Sequence, residues 1–483
     1  MEVLQEREVR LKKAKSLKDK GIPLYPYNFS RTHTIREVLE DFDELSSSKR
    51  TVKIAGRMGS KRKHGKTLFS DLYDASGKIQ LYFRRDMLKE NFDLLALLDT
   101  GDFLGVEGEV FRTKTEEPTL LVSSFKLLGK SLRPLPEKWH GLKDTETRYR
   151  QRYLDILSNP HSREIFLIRT KMIDAIRSFL NERGFLEVET PILQPLYGGA
   201  MAKPFKTWYE ALQQEMFLRI ADELYLKRLL VGGFEKVYEI AKDFRNEGLD
   251  RFHNPEFTQI ELYEAYKDYE ELMEFTQDLF LYITRTLFKD SKIIYQGYEV
   301  DFSKPWRRLP FLDTLEDKTG VKGILNLPTD ELKGIAERFG IEVSESITKP
   351  KLLDKLFSSL IQEKIKEPTF VIDHPKLLSP LAKVHRRDPR LVERFEIIIC
   401  GMEIGNAFSE LNDPIDQRER FEEQIRLREE YTVMDEDFIE ALEYGMPPCA
   451  GLGLGIDRMV MLFTDSPSIR EVILFPHLRS KDA

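Results

Sequence analysis

The sequence predicts an α+β chain of two domains, a small five-stranded β-barrel followed by a larger unit built on a mainly antiparallel sheet with flanking helices. Three observations carry that prediction. Between about 50 and 130 apolar residues recur every second position, whereas on either side they recur at helical spacing. Strand-like runs after residue 200 do not alternate regularly with helices, as a doubly wound fold requires. At roughly 100–200 residues per domain, 483 residues hold two to four domains.

Residues 1–22 read as a charged helix, with Leu4, Leu11, Ala14 and Leu17 at helical spacing and Gly21 and Pro23 to end it. Alternation then marks strands at 52–58, 67–73 and 79–83, with further candidates at 102–111 and 119–128 and one helical stretch near 86–98. Five short strands with glycine turns fit a Greek-key barrel of the OB type; a generic β-sandwich is the plainer alternative. Residues 136–150 are expected to link this N-terminal domain (1–135) to a second (151–483). There a helical stripe runs through Ile165, Ile168, Met172, Ile176 and Phe179, closed by Gly184. Strands are expected at 216–220, 236–240, 258–265, 395–400 and 407–411, a helix at 223–230, and a helical insertion at about 310–385.

Composition narrows the function. Cys400 and Cys449 are the only cysteines, too few for a disulfide scaffold or a cysteine zinc site, and they read as buried small hydrophobes. No His-x₃₋₅-His pair offers zinc an alternative. The N-terminus lacks an apolar leader, and no stretch reaches the ~18 apolar residues of a membrane span, so a cytoplasmic location is expected. The net charge is −7, yet between Arg57 and Arg85 eight Lys or Arg face two acids, Asp71 and Asp74. A local basic face on an acidic protein suits one polyanion docked in one place.

Three clusters hold chemistry. In Asp243-Phe-Arg-Asn-Glu-Gly-Leu-Asp-Arg-Phe-His-Asn-Pro-Glu-Phe-Thr258, Arg245 at a strand exit suits a phosphate, and Phe257 offers a face for stacking. Glu261 and Tyr263, two apart, share one side of the following strand. In Glu396-Ile-Ile-Ile-Cys-Gly-Met-Glu403 the paired carboxylates either bracket Mg²⁺ or form structural ion pairs, and Asn406, Phe408 and Glu410 alternate beyond them. Ala450-Gly-Leu-Gly-Leu-Gly-Ile-Asp-Arg458 is not a dinucleotide fingerprint, because the third glycine comes one residue early and too little chain follows. It reads as a glycine-lined strand that lets a ligand approach, then a helix presenting Arg458. The segment 197–205 is rich in small residues and reads as a lid, a close-approach wall or a surface loop.

Phe-Arg-Asn-Glu-Gly at 244–248, the glycine-rich tail ending at Arg458, and Val-Glu-Thr-Pro ending at Pro191 resemble motifs 2, 3 and 1 of the class II aminoacyl-tRNA synthetases. Gly198-Gly-Ala-Met-Ala-Lys-Pro-Phe205, Arg219 through Arg228, and Glu403 through Asn412 resemble the lysine-specific members. The resemblance implies an OB-fold anticodon-binding domain, a catalytic domain on a six-stranded antiparallel sheet, a homodimer formed through motif 1, and ligation of L-lysine to tRNA(Lys) through a lysyl-adenylate, with no DNA or membrane partner. It places Arg245, Glu247, His253, Phe257 and Arg458 on ATP, with Arg245 and Arg458 catalytic. Gly199, Glu223, Glu261, Tyr263, Asn406, Phe408 and Glu410 fall on lysine, Glu396 and Glu403 on Mg²⁺, and Arg62, Phe69 and Gln80 on the anticodon. Lys203, Asp222 and Ala407 depart from the family pattern, where Arg, Pro and Gly are usual.

Charge chemistry agrees with lysine. Glu410 and Glu261, if unpaired in the empty pocket, would reject neutral side chains, since each charge-assisted hydrogen bond contributes about 1.5–3 kcal/mol. A non-catalytic paralogue should have lost one of Arg245, Glu396, Glu403 or Arg458, and all four are present. A paralogue that lysylates a protein acceptor would lack the barrel.

Overall fold

The computed structural model describes residues 2–136, 142–426 and 433–480, which fall into two compact units, Met1–Gly141 and Leu142–Ala483. The expected linker at 136–150 lies partly outside the described residues, and its far end is a helix, Thr145–Arg150.

The first unit begins with helix α1 (Glu2–Asp19). It continues into strands β1 (Val52–His64), β2 (Thr67–Tyr73), β3 (Lys78–Arg84), β4 (Phe103–Arg112) and β5 (Pro118–Gly129). They close into a barrel in the order β1-β2-β3-β5-β4, antiparallel throughout except for β3 and β5. Alternation decides what is inside: Leu68, Leu72, Ile79, Leu81 and Phe83 are buried, while Phe69, Gln80 and Tyr82 between them face outward. β1 runs six residues past its expected end, because Arg62 and Lys63 stay paired with Phe69 and Leu68 although the run has turned polar. The helical stretch near 86–98 is two single turns, Arg85–Leu88 and Asn91–Leu94, interrupted at Lys89, where φ is +51°.

A buried ion cluster ties the barrel to its helix. The Lys130 ammonium meets Asp99 Oδ2 at 2.7 Å and Asp102 Oδ1 at 3.0 Å, and Lys130 and Asp102 are fully buried at their side chains. Lys13 on α1 reaches the other oxygen of Asp99, and Arg10 donates to the carbonyls of Thr100 and Arg133.

The second unit carries one large sheet. Its strands are β6 (Leu186–Glu187), β7 (Lys236–Phe244), β8 (Glu256–Ala265), β9 (Arg307–Pro310), β10 (Thr369–Ile372), β11 (Arg394–Ile399), β12 (Met402–Ser409) and β13 (Cys449–Gly455). The sheet order is β9-β10-β11-β12-β13-β8-β7-β6. The sheet thus has eight strands where six were expected. The six central ones, β10 to β7 in that order, are antiparallel neighbours; the two additions are short edges, β9 and β6, each paired parallel. Helices α2 (Pro160–Asn181) and α3 (Tyr269–Phe288) pack an apolar face on it; Met172, Ile176 and Phe179 join Ile260, Leu262, Leu452 and Leu454 in one core.

Two expectations need correction. The run at 216–220 belongs to a separate three-stranded sheet as Gln214–Leu218, and the 310–385 segment is not wholly helical, since β10 lies within it. Its helices are Phe311–Thr319, Thr329–Arg338 and Lys349–Leu360. Cys449 is buried as expected, whereas Cys400 is only half-buried, at a turn with φ of +50°.

Lys130→Met should destabilise the barrel by about 3 kcal/mol, because removing one partner leaves buried charge uncompensated. The readout is faster hydrogen exchange in β1–β5; unchanged exchange would show that the cluster contributes nothing.

Candidate active site

Strand register builds the floor of the site. β13 lies between β8 and β12, and Gly451, Gly453 and Gly455 recur on one face of it. Pairing sets Gly451 between Tyr263 and Phe408, and Gly453 between Glu261 and Asn406. A methyl group added at Gly451 would lie 2.2 Å from Glu410 Oε1 and 2.4 Å from the Tyr263 ring, so only glycine fits there. A cavity of about 460 Å³ opens over this floor, within the range of small-molecule sites. Gly198, Gly199, Ala200 and Met201 form one of its walls, which makes the 197–205 loop a close-approach wall.

One end is cationic and aromatic. The Arg245 guanidinium lies 5.0 Å from the centre of the Phe257 ring, and its Nε donates to the Ile220 carbonyl at 3.3 Å. Arg458, in the first turn of helix Ile456–Phe463, donates to the Glu403 carbonyl at 2.6 Å and lies 3.2 Å from His253 Nε2. His253 Nδ1 is 2.7 Å from Asp250 Oδ2; that pairing makes Nδ1 the donor and leaves Nε2 to accept from Arg458. Asp457 docks the helix: it accepts from the Thr258 N–H at 2.8 Å and from Arg169 at 2.6 Å. Glu247 also lines this part of the cavity.

The other end is acidic. Glu261 accepts from Tyr263 OH at 2.9 Å and from Gln259 Nε2 at 2.8 Å. Burial, then the charges of Asp222 and Glu223, pushes Glu261 well above the usual carboxylate range. Glu410 is buried, with its carboxyl pushed up to about 8 by burial and by Glu223, against the pull of Lys227. This corrects the expectation of unpaired carboxylates: the Lys227 ammonium contacts Glu410 Oε2, and Glu261 is doubly hydrogen-bonded within the protein. The lone pairs that remain, not whole carboxylates, face the cavity.

Glu403 lines the cavity, 3.4 Å from Arg458, but Glu396 is buried and is not among the lining residues. Arg394 donates to Glu396 Oε1 at 2.7 Å and to Asn406 Oδ1 at 2.8 Å, which leaves the NH₂ of Asn406 for a ligand. Despite burial, His374 and Arg394 hold Glu396 low, at about 2. Among the described residues no three His, Cys, Asp or Glu side chains form a ready cation cage.

In the barrel unit, Arg62, Phe69 and Tyr82 form one outward row across β1, β2 and β3, and Gln80 pairs with Asp71 on the same face. Phe69 and Tyr82 stack at 4.5 Å, and Phe111 lies 6.0 Å beyond Tyr82. Thr119 Oγ1 donates to Gln80 Oε1 at 3.1 Å.

All twelve residues expected on ATP and lysine therefore line one cavity, and of the two expected on the metal only Glu403 does. Sequence reasoning missed Lys227, Gln259, Arg394, Tyr82 and Phe111. Alternation alone marks the last two as outward-facing, and Arg394 shares a strand face with Glu396; Lys227 had no local signal.

The family model of the class II tRNA synthetases (D, K and N) matches residues 144–479, and that of the OB-fold nucleic acid binding domain matches 52–128. The chain is 50% identical over 480 residues to the lysine–tRNA ligase of Carboxydothermus hydrogenoformans, covering 98% of each. It is 49% identical over 488 residues to that of Syntrophomonas wolfei, covering 100% of this chain and 99% of the relative. With the Aquifex aeolicus enzyme it shares 52% over 454 residues, 92% of this chain and 76% of the relative. Likeness of this extent, laid over a glycine-floored cavity with a cationic and an acidic end, leads to one conclusion: the chain belongs to the class II tRNA synthetases of the D, K and N group, in the lysine–tRNA ligase family.

Proposed function

We propose that the chain ligates L-lysine to tRNA(Lys) at the expense of ATP, through a lysyl-adenylate. The observation that carries this reading is the two-ended cavity, in which Arg245, His253 and Arg458 face one way and Glu223, Glu261 and Glu410 the other. A triphosphate suits the first end and a diamino acid the second. Residues 1–135 would bind the anticodon and 151–483 carry the chemistry.

Phe257 and Arg458 take the adenine between them, Glu247 its edge, and His253 and Arg458 the γ-phosphate. Arg245 holds the α-phosphate and the lysine carboxylate in line, so positioning and charge neutralisation supply the acceleration. Gly199 and Glu223 take the α-ammonium, Asn406 the carboxylate, and Glu410 and Tyr263 the ε-ammonium, with Glu261 and Phe408 as walls. The carboxylate oxygen bonds to the α-phosphorus and pyrophosphate leaves. A terminal ribose hydroxyl then attacks the adenylate carbonyl and AMP leaves, with no dedicated protein base.

Mg²⁺ is a hard cation that takes a few carboxylate oxygens and completes its shell on phosphate, and the Glu403 carboxylate at the cavity, with Glu396 buried on the neighbouring strand, suits it. When bound it would supply charge neutralisation for the phosphates; Glu403 and the Arg394-anchored Glu396 would hold it. On the barrel, Phe69 offers a stacking face, Gln80 an edge-reading amide, and Arg62 a phosphate contact. A homodimer is supported by exposed Leu186, Ile192, Leu193 and Leu196, apolar side chains on either side of Pro191 that a second copy would cover. No helix among the described residues is long and apolar enough to cross a membrane. A cytoplasmic site of action is part of this reading, since that is where tRNA is charged.

ATP–pyrophosphate exchange with each of twenty amino acids and no tRNA should respond to lysine alone. Exchange with a different amino acid would overturn the pocket assignment, and exchange with none would favour a non-catalytic paralogue. Gly451→Ala should raise the lysine KM roughly tenfold or more, because its methyl displaces Glu410 and Tyr263, while the ATP KM stays within about threefold. Equal changes in both would overturn the assignment of that end.

Lysine affinity should depend on pH through Glu410, whose carboxyl in the empty pocket sits at about 8. The ε-ammonium, with a pKa of about 10.4, stays charged there and binds the ionised carboxylate. Affinity should therefore fall as pH drops below about 8 and level off above it, with proton release on binding. Calorimetry in buffers of different ionisation enthalpy between about pH 6 and 8.5 checks this, and a flat profile would refute it.

A further inference from the structure

Lys227 has no place in the lysine-binding set, yet it touches both ends of it. It lies on the helix Glu223–Val231, one turn after Glu223, and its side chain is fully buried. Helical side chains lean toward the N-terminus, so the ammonium returns to Glu223 Oε1 at 2.5 Å and also contacts Glu410 Oε2. The Phe408 ring centre is 5.3 Å away. Lys227 is not among the residues lining the cavity.

The remaining oxygens point where a ligand would be. Glu223 Oε2 faces Gly199, 3.9 Å from where a methyl group would project, and Glu410 Oε1 packs over Gly451 with no hydrogen-bond partner. One buried ammonium thus occupies one oxygen of each carboxylate and turns the other oxygen toward the cavity.

We infer that Lys227 is a positioning residue that acts as an internal spacer: by bridging Glu223 and Glu410 it fixes the separation between the α-ammonium and ε-ammonium sites, and so selects a diamino acid of lysine's length. This rests on the proposed assignment of Glu223 and Glu410 to the substrate. A shorter diamino acid such as ornithine would satisfy one carboxylate and leave the other short of its partner. A neutral chain such as norleucine would leave Glu410 Oε1 with none.

The test is ATP–pyrophosphate exchange by the full chain with lysine, ornithine and norleucine. Lys227→Met should raise the lysine KM roughly tenfold or more, leave the ATP KM within about threefold, and reduce the lysine-to-ornithine preference by roughly tenfold. Lys227→Arg keeps a charged donor and should recover a lysine KM within about tenfold of the parent. Unchanged lysine KM and preference in Lys227→Met would overturn the inference, as would a Lys227→Arg enzyme no better than Lys227→Met. Should Lys227→Met fail to fold, Lys227→Arg decides alone: lysine and ATP KM rising together would overturn the inference. Glu410→Gln separates the two levels. A normal lysine KM in that variant defeats the site assignment itself, whereas an impaired Glu410→Gln beside a normal Lys227→Met defeats only the spacer.

Discussion

The cavity exists because one interior strand of a six-strand antiparallel run carries no side chains on its ligand face. Gly451 and Gly453 let Tyr263, Phe408, Glu261 and Asn406 close in from both neighbours, so polar groups from strands far apart in sequence converge on one trough. Everything else in the site is arranged around that absence. The cationic groups enter from the loop between β7 and β8 and from the helix after β13, Phe257 enters from the start of β8, and the carboxylates come from β8, from β12's extension and from the helix at Glu223.

Close packing of acids has a cost that the structure meets with buried cations placed beneath the floor. Arg219 reaches Glu239 at 2.6 Å and Asp243 at 3.2 Å, Lys227 reaches Glu223 and Glu410, and Arg394 reaches Glu396. The compensation is incomplete. Asp243 is still raised to about 6, by burial against the pull of Arg219 and Arg245, and one oxygen of Asp222 has no hydrogen-bond partner. A site that holds its charges slightly out of balance gives up stability in the empty state and regains it from a cationic ligand.

Much of this was legible in the sequence wherever the reacting residues lie on one element. Spacing of two along a strand places Glu261 with Tyr263, and Asn406 with Phe408 and Glu410, and the structure keeps each set on one face. The outward row on the barrel follows the same rule. Lys227 was not legible, because its partner Glu410 lies 183 positions away and a helical Lys four residues after a Glu reads as an ordinary surface pair. The edge strands β6 and β9 escaped for a different reason: runs of two and four residues have no period to detect, and they are strands only because a neighbour offers them hydrogen bonds. β10 was hidden between helical stripes that do exist.

A floor made of glycine also biases how such a protein can drift. No residue is smaller, so any single replacement at 451, 453 or 455 can only fill the trough. Enlarging it requires shortening Tyr263, Phe408 or Glu410, which are the groups that grip the ligand. The accessible mutational neighbourhood is therefore one-sided: loss of the original substrate is one codon change away, whereas every change that makes room for a bulkier one also removes part of the grip on it.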